Sequence, residues 1–361
     1  MPRHAFARAY LARTTFKNWS VGARLLIGSG VALVAAAFAS LAIGPTGISL
    51  FAIPQAIGAM FGNTDDVAAL QSRLVLFDLR LPRTLIGMFV GAALAVAGAM
   101  MQGLFRNPLA DPGLVGVSAG AALAAIATIA LGDSLAAFWV NTLGIYALPV
   151  SAFLGGIITT TLLMIVAGHS GQLMMGTLLL AGIAFGALAG AASGLIAYAS
   201  DDRELRDLTL WSMGSLTGSS WEKVAAVAPF ALIIGVAIPS LVRALNGLLL
   251  GEAEAYHLGI DVPRAKLVIV AITAAAVGAA VAVAGVIGFV GIVVPHFVRL
   301  IAGPDHRVLL PATALIGATV ILAADVVART IVAPSELPIG IVMAIIGAPI
   351  FLHLVLRRGM L

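Results

Sequence analysis

Ten apolar runs separated by short polar segments set the pattern of this chain: Leu25–Ile43, Thr84–Leu104, Gly113–Leu131, Gly144–Ala167, Leu173–Ala199, Val224–Leu245, two within Leu267–Val298, Leu309–Val327 and Leu337–Leu356. A helix rising 1.5 Å per residue needs roughly twenty apolar residues to cross a bilayer, so most of these runs are of crossing length. The stretch from Leu267 to Val298 is too long for one crossing and must hold two. Gly285, Gly288 and Gly291, followed by Pro295, mark where a break costs least. The expected fold is therefore an all-α polytopic membrane protein of ten transmembrane helices.

The stretch Leu79–Gly120 shows the pattern most sharply. Pro82 suits a helix start, since its φ is fixed and the missing N–H has no partner to lose. The apolar run then ends at Arg106-Asn107-Pro108. Pro108 and Pro112 each push the preceding residue out of helical geometry, so Arg106–Gly113 should be an ordered turn. Residues 1–24 are polar and basic and form an expected cytoplasmic N-terminal segment. The long charged region and the long apolar run after it fit an uncleaved first helix better than a signal peptide. Gly44–Arg83, with Asp65, Asp66, Arg73, Asp78 and Arg80, reads as a polar connection.

Composition agrees. The 361 residues are 61% hydrophobic and 10% charged, and mean hydropathy is +1.10, far from a soluble domain. No cysteine is present, which excludes disulfides and thiolate chemistry. The net charge of +4 does not point to nucleic acid; what matters is where the basic residues fall. With both termini placed in the cytoplasm, thirteen of the twenty basic residues lie on that side and seven on the other, satisfying the positive-inside rule. Gly91–Gly98 and Gly278–Gly285 agree at seven of eight positions, each after a Pro-Arg pair. In so Ala/Gly-rich a chain that is either chance or a five-plus-five inverted repeat, with halves of about 25–199 and 222–356 inside one domain, 25–361.

Candidate chemistry is mostly excluded. There is no phosphate-binding GxxxxGK[ST] loop, and the six histidines show no metal-ligand spacing, so no catalytic or metal residue is assigned. Gly116-Val-Ser-Ala-Gly120 matches a nucleophile elbow but opens a membrane helix. Charges within the spans are nearly absent: Arg299 and Asp325 lie toward helix ends, and Asp325 is placed to pair with Arg329. An ion-coupled secondary transporter would need a coupling group near midplane, whereas a pore driven by a separate motor needs none. The motor-driven reading requires a cytoplasmic docking surface. Within the loop 246–266, Glu252, Ala253, Glu254, Ala255, Leu258 and Gly259 suit a short polar helix ended by glycine, although a solvated loop would look similar. Gly182, Gly186, Gly190 and Gly194 form a stripe that suits bundle packing, a subunit interface or a pathway wall. Trp211 and Trp221 suit interfacial anchors or ligand contacts.

Several blocks together resemble the FecCD-type permease family: Arg80-Leu-Pro-Arg83, the Gly91–Gly120 stretch, Gly251-Glu-Ala-Glu-Ala255, Gly288–Arg299 with Asp305-His-Arg307, and Glu336–Gly340 with Gly347-Ala-Pro349. The resemblance implies the membrane subunit of a bacterial inner-membrane ABC importer for iron–siderophore complexes, haem or vitamin B12. It implies a homodimer with two cytoplasmic ATP-binding subunits, which hold ATP and Mg, and a periplasmic substrate-binding protein. It implies that Arg80, Arg83 and Arg329 pair with glutamates of that binding protein, and that Glu252–Gly259 couples to the ATPase. By the same resemblance Gly182–Gly194, Gly340 and Gly347 face the pathway or the dimer axis. Leu208–Leu216 looks more like haem and siderophore members than the vitamin B12 one, so haem is the expected cargo.

Overall fold

The computed structural model describes residues 3–44, 67–169 and 172–358. These are helical almost throughout; one two-residue antiparallel pair, β1 (Gly168–His169) and β2 (Gln172–Leu173), closes a reversal. The helices in order are α1 (Arg3–Ala42), α2 (Val67–Arg73), α3 (Leu81–Leu104), α4 (Val117–Ala130), α5 (Ala137–Leu143), α6 (Ala147–Ala167) and α7 (Met175–Ala199). Then come α8 (Asp202–Ser212), α9 (Trp221–Leu250), α10 (Glu252–His257), α11 (Val262–Ala284), α12 (Val290–Ala302), α13 (His306–Thr330) and α14 (Ile339–Arg358). Seven helical stretches are long and apolar enough to cross a membrane, and three apolar helices are shorter: Val117–Ala130, Val290–Ala302 and Ile339–His353. These match the ten predicted runs in order, and a count of ten crossings includes the three short ones.

Two differences from the sequence pattern have local causes. The connection expected over Gly44–Arg83 is helical from Val67 onward, while Asp65 and Asp66 lie outside the described residues. Pro82 cannot donate the next helical hydrogen bond, and the chain before it, Leu74–Arg80, is a wider π-helix in which the Leu81 N–H reaches back to the Leu76 carbonyl. The N-terminal polar segment joins its span in the single helix α1.

Elsewhere the pattern holds. The long run breaks between α11 and α12, where Gly285 (φ 69°) and Phe289 (φ 68°) turn the backbone left-handed; Gly291 and Pro295 lie inside α12. The Arg106–Gly113 turn is ordered: Leu109 N–H donates to Asn107 Oδ1 (3.0 Å) and Gly113 N–H to Asp111 Oδ1 (2.7 Å). Burial pushes the Asp111 carboxyl up, against the lowering effect of that Gly113 bond. Ser118 simply opens α4.

α3 and α11 form the buried centre. Without a hydrophobic drive between helices in lipid, close packing carries the association, and glycine makes it possible. A Cβ on Gly91 would strike the Gly317 carbonyl of α13, one on Gly98 would strike Gly291 of α12, and Gly120 and Gly155 bring α4 onto α6 in the same way. Of the predicted stripe on α7, Gly182 is buried, whereas among the described residues side chains at Gly186, Gly190 and Gly194 would meet open space. Gln102 locks the α3–α12 crossing, donating to the Gly291 and Ile292 carbonyls (3.3 and 3.2 Å) and accepting from Arg299 (2.9 Å).

Candidate functional sites at the two ends of the bundle

At one end, Arg80, Arg83 and Arg329 come together, as the sequence suggested, but they turn inward. Asp325, fully buried on α13, binds Arg83 of α3 at 2.8 Å and sits 3.6 Å from Arg329 one helical turn away. Arg83 forks between Asp325 and Glu336, whose two oxygens lie 2.9 and 3.0 Å from its terminal nitrogens. Arg80 donates to the Leu41 and Ala42 carbonyls (2.6 and 3.1 Å), and Arg329 to the Ser40 carbonyl (2.7 Å). These are the last carbonyls of α1, which have no helical partner and attract cations. Arg80 and Arg329 are consequently only 5% and 3% exposed. Within the chain α1, Asp325 and Glu336 thus engage all three guanidinium groups.

The cluster continues outward from Glu336. Thr217 donates to Glu336 Oε2 (2.8 Å) and Ser215 donates to Thr217 (2.8 Å). Beside them the segment after α8 is tied by its backbone to two other breaks: Ser215 N–H to Ala284 O, Ile339 N–H to Gly214 O and Gly340 N–H to Met213 O. One end thus joins α1, α3, α8, α11, α13 and α14 through polar groups. Burial works to raise the Glu336 pKa, but the Arg83 hydrogen bonds and charge outweigh it and hold the carboxyl below its ordinary value of 4.5. A depressed carboxylate contributes stability above its unfolded pKa and loses it as pH falls through the folded value. Thermal unfolding should therefore show a loss of stability below about pH 4 that Glu336→Gln lacks; an identical pH profile in the variant would contradict the bridge's contribution.

At the opposite end, α10 stands out from the bundle. Glu252, Ala253, Glu254, Leu258 and Gly259 are exposed, and Ala255 is buried and seats the helix. The glycine end is as predicted: Gly259 has φ 76°, its N–H bonds Tyr256 O (2.9 Å), and the Ile260 N–H bonds Ala255 O (3.0 Å), the double closure of a Schellman motif. Glu252 is anchored to Lys266 at 2.7 Å, and Lys266 also donates to Leu173 O. Asn246, not singled out by the sequence, ties α9 to α13 just before α10: it donates to Asp305 (2.8 Å) and accepts from the His306 N–H (3.0 Å).

The remaining glycines divide. Gly182 is buried and Gly186–Gly194 are open on α7, whereas Gly340 packs against the Met213 carbonyl and Gly347 against Phe289, both within the chain. Trp221 donates to Phe77 O (3.1 Å) and so fixes α9 to the π segment.

Comparison with known proteins gives this arrangement a family. A family profile described as the FecCD transport family matches residues 32–357. The chain belongs to the FecCD transport family. Among curated relatives, the hemin transport system permease HmuU of Yersinia pestis is 48% identical over 78% of this chain and 83% of its own length. The cobalamin import permease BtuC of Halobacterium salinarum is 43% identical over 80% and 74%. Among solved structures, a metal-chelate type ABC transporter in an inward-facing conformation aligns with a TM-score of 0.79 and 35% identity, covering 92% of this chain and 99% of that one. FecCD chains are the membrane permease subunits of ABC importers, so this one is a multi-pass membrane transport subunit and not itself an enzyme; ATP is hydrolysed by a separate subunit. That assignment sets aside the ion-coupled secondary transporter.

Proposed function

We propose that this FecCD permease, as a homodimer with two ATPase subunits, moves haem from a periplasmic binding protein to the cytoplasm by alternating access. The observation that carries the cargo is the 48% identity to a permease named for hemin transport, supported by the Leu208–Leu216 segment. Both termini and α10 face the cytoplasm, so Glu252–Gly259 meets the ATPase, and the Arg83 end faces the periplasm. The binding protein docks on that periplasmic end, where Arg80, Arg83 and Arg329 form the positive layer beneath the contact surface and steer an acidic partner. The open glycine face of α7 receives the second copy, and nearby stretches of α7 and α14 border the pathway.

The inverted repeat belongs to the same reading. α3 packs on α13 and α12, and α11 packs on α6 and α4. These are the second, ninth and eighth runs and the seventh, fourth and third, so each pairing maps onto the other by an offset of five. A two-half machine of this kind can rock about its centre without a coupling ion.

The cargo is tested on the cognate binding protein. Purified and titrated with haem, ferric siderophore and cobalamin, it should retain haem with the absorption shift of a ligated iron porphyrin. Retention of cobalamin or a siderophore instead would reassign the cargo while leaving the permease role intact.

A further inference from the structure

A cavity of about 870 Å³ opens beside the Ser215–Thr217–Glu336 chain. It lies at the Arg83 end between the first turns of α6 (Leu148, Pro149) and α9 (Glu222, Lys223), with the last turn of α11 as its back wall. The packing explains why it exists. α1 lies along α13 in extended contact, whereas α9, its counterpart in the second half, meets α6 through the Phe153–Phe230 ring pair, 4.9 Å between centroids. Nearer the helix starts, the cavity stands between α6 and α9.

Its chemistry is that of an amphiphile site. The walls are mainly apolar, and Tyr146 and Trp211 at its edge are the residue types that sit at headgroup level. Two opposite charges stand side by side at the mouth. Glu222 is exposed, and the half-buried Lys223 ammonium lies over Gly218. Among the described residues Lys223 makes no ion pair, with Glu222 or any other carboxylate, and Glu336, also at this cavity, is committed to Arg83 and Thr217.

We propose that the cavity binds a phospholipid with a zwitterionic headgroup of the phosphatidylethanolamine type, its phosphate on Lys223, its ammonium on Glu222 and its apolar body against α6 and α11. An acidic lipid such as phosphatidylglycerol supplies the phosphate but nothing for Glu222, and an anionic chelate has the same deficit. The inference rests only on the chain spanning a membrane, not on the cargo.

The test is native mass spectrometry of the purified permease after equilibration in nanodiscs of equal phosphatidylethanolamine and phosphatidylglycerol. Wild type should retain phosphatidylethanolamine in preference. Lys223→Ala should reduce its occupancy about tenfold, the scale of one charge-assisted hydrogen bond, and Lys223→Arg should keep it. Glu222→Gln should keep a lipid but lose the headgroup preference, and Leu210→Trp, which narrows the cavity, should expel it. Equal retention of the two lipids by wild type, or unchanged occupancy in both Lys223→Ala and Leu210→Trp, would overturn the proposal, as would a bound chelate in place of lipid. Should Lys223→Ala fail to fold, the Lys223→Arg and Glu222→Gln results decide the matter alone.

Discussion

Asp325→Ala should destabilise the purified permease by about 3–5 kcal/mol, the usual consequence of removing one partner from a buried charge network. Asp325 is fully buried, binds Arg83 at 2.8 Å and faces Arg329 at 3.6 Å, so its loss leaves two neighbouring guanidinium groups without their common anion. Arg83 keeps Glu336, and among the described residues Arg329 keeps the Ser40 carbonyl and hydroxyl. The charge imbalance, not the lost volume, carries the effect. Asp325→Leu combined with Arg329→Leu should therefore recover much of the stability, since an apolar replacement of a buried pair is often neutral. Thermal unfolding in detergent measures both. A single variant as stable as wild type would mean that water or lipid solvates the arginines, and the cluster would lose its structural role.

The second large effect is functional. Glu252→Arg with Glu254→Arg should abolish transport while leaving the permease folded. Both side chains are exposed on α10 and contribute little to the bundle, apart from the single Glu252–Lys266 bridge. Reversing two charges at a docking surface places like charges against whatever cations face it, which lowers affinity by more than about tenfold. The expected signature is loss of ATPase co-purification and of uptake; Glu254→Arg alone should leave the unfolding temperature unchanged, and the double variant should lower it, since Glu252→Arg sets a like charge against the buried Lys266. Normal ATPase binding would remove α10 from the coupling role.

Much of the fold was legible because apolar run length is a direct physical signal in lipid, where every backbone group must be satisfied within a helix. The break after Ala284, the ordered turn at Arg106–Gly113 and the glycine end of α10 all followed from glycine and proline chemistry. What the sequence hid was tertiary. Arg83 meets Asp325 and Glu336 from 242 and 253 residues away, and no local pattern relates them. The arginines were visible as charges at an interface but not as side chains turned inward, because that depends on where α1 ends. The α7 glycines likewise showed a stripe without its partner, and Asn246 gave no signal beyond being polar at the end of an apolar helix.

The permease account is tested most directly by uptake into proteoliposomes. With the cognate ATPase inside and haem-loaded binding protein outside, this chain should accumulate haem only when the lumen holds ATP and Mg, with or without an ion gradient. Haem accumulation driven by an ion gradient without ATP, or none in the complete assembly, would contradict it.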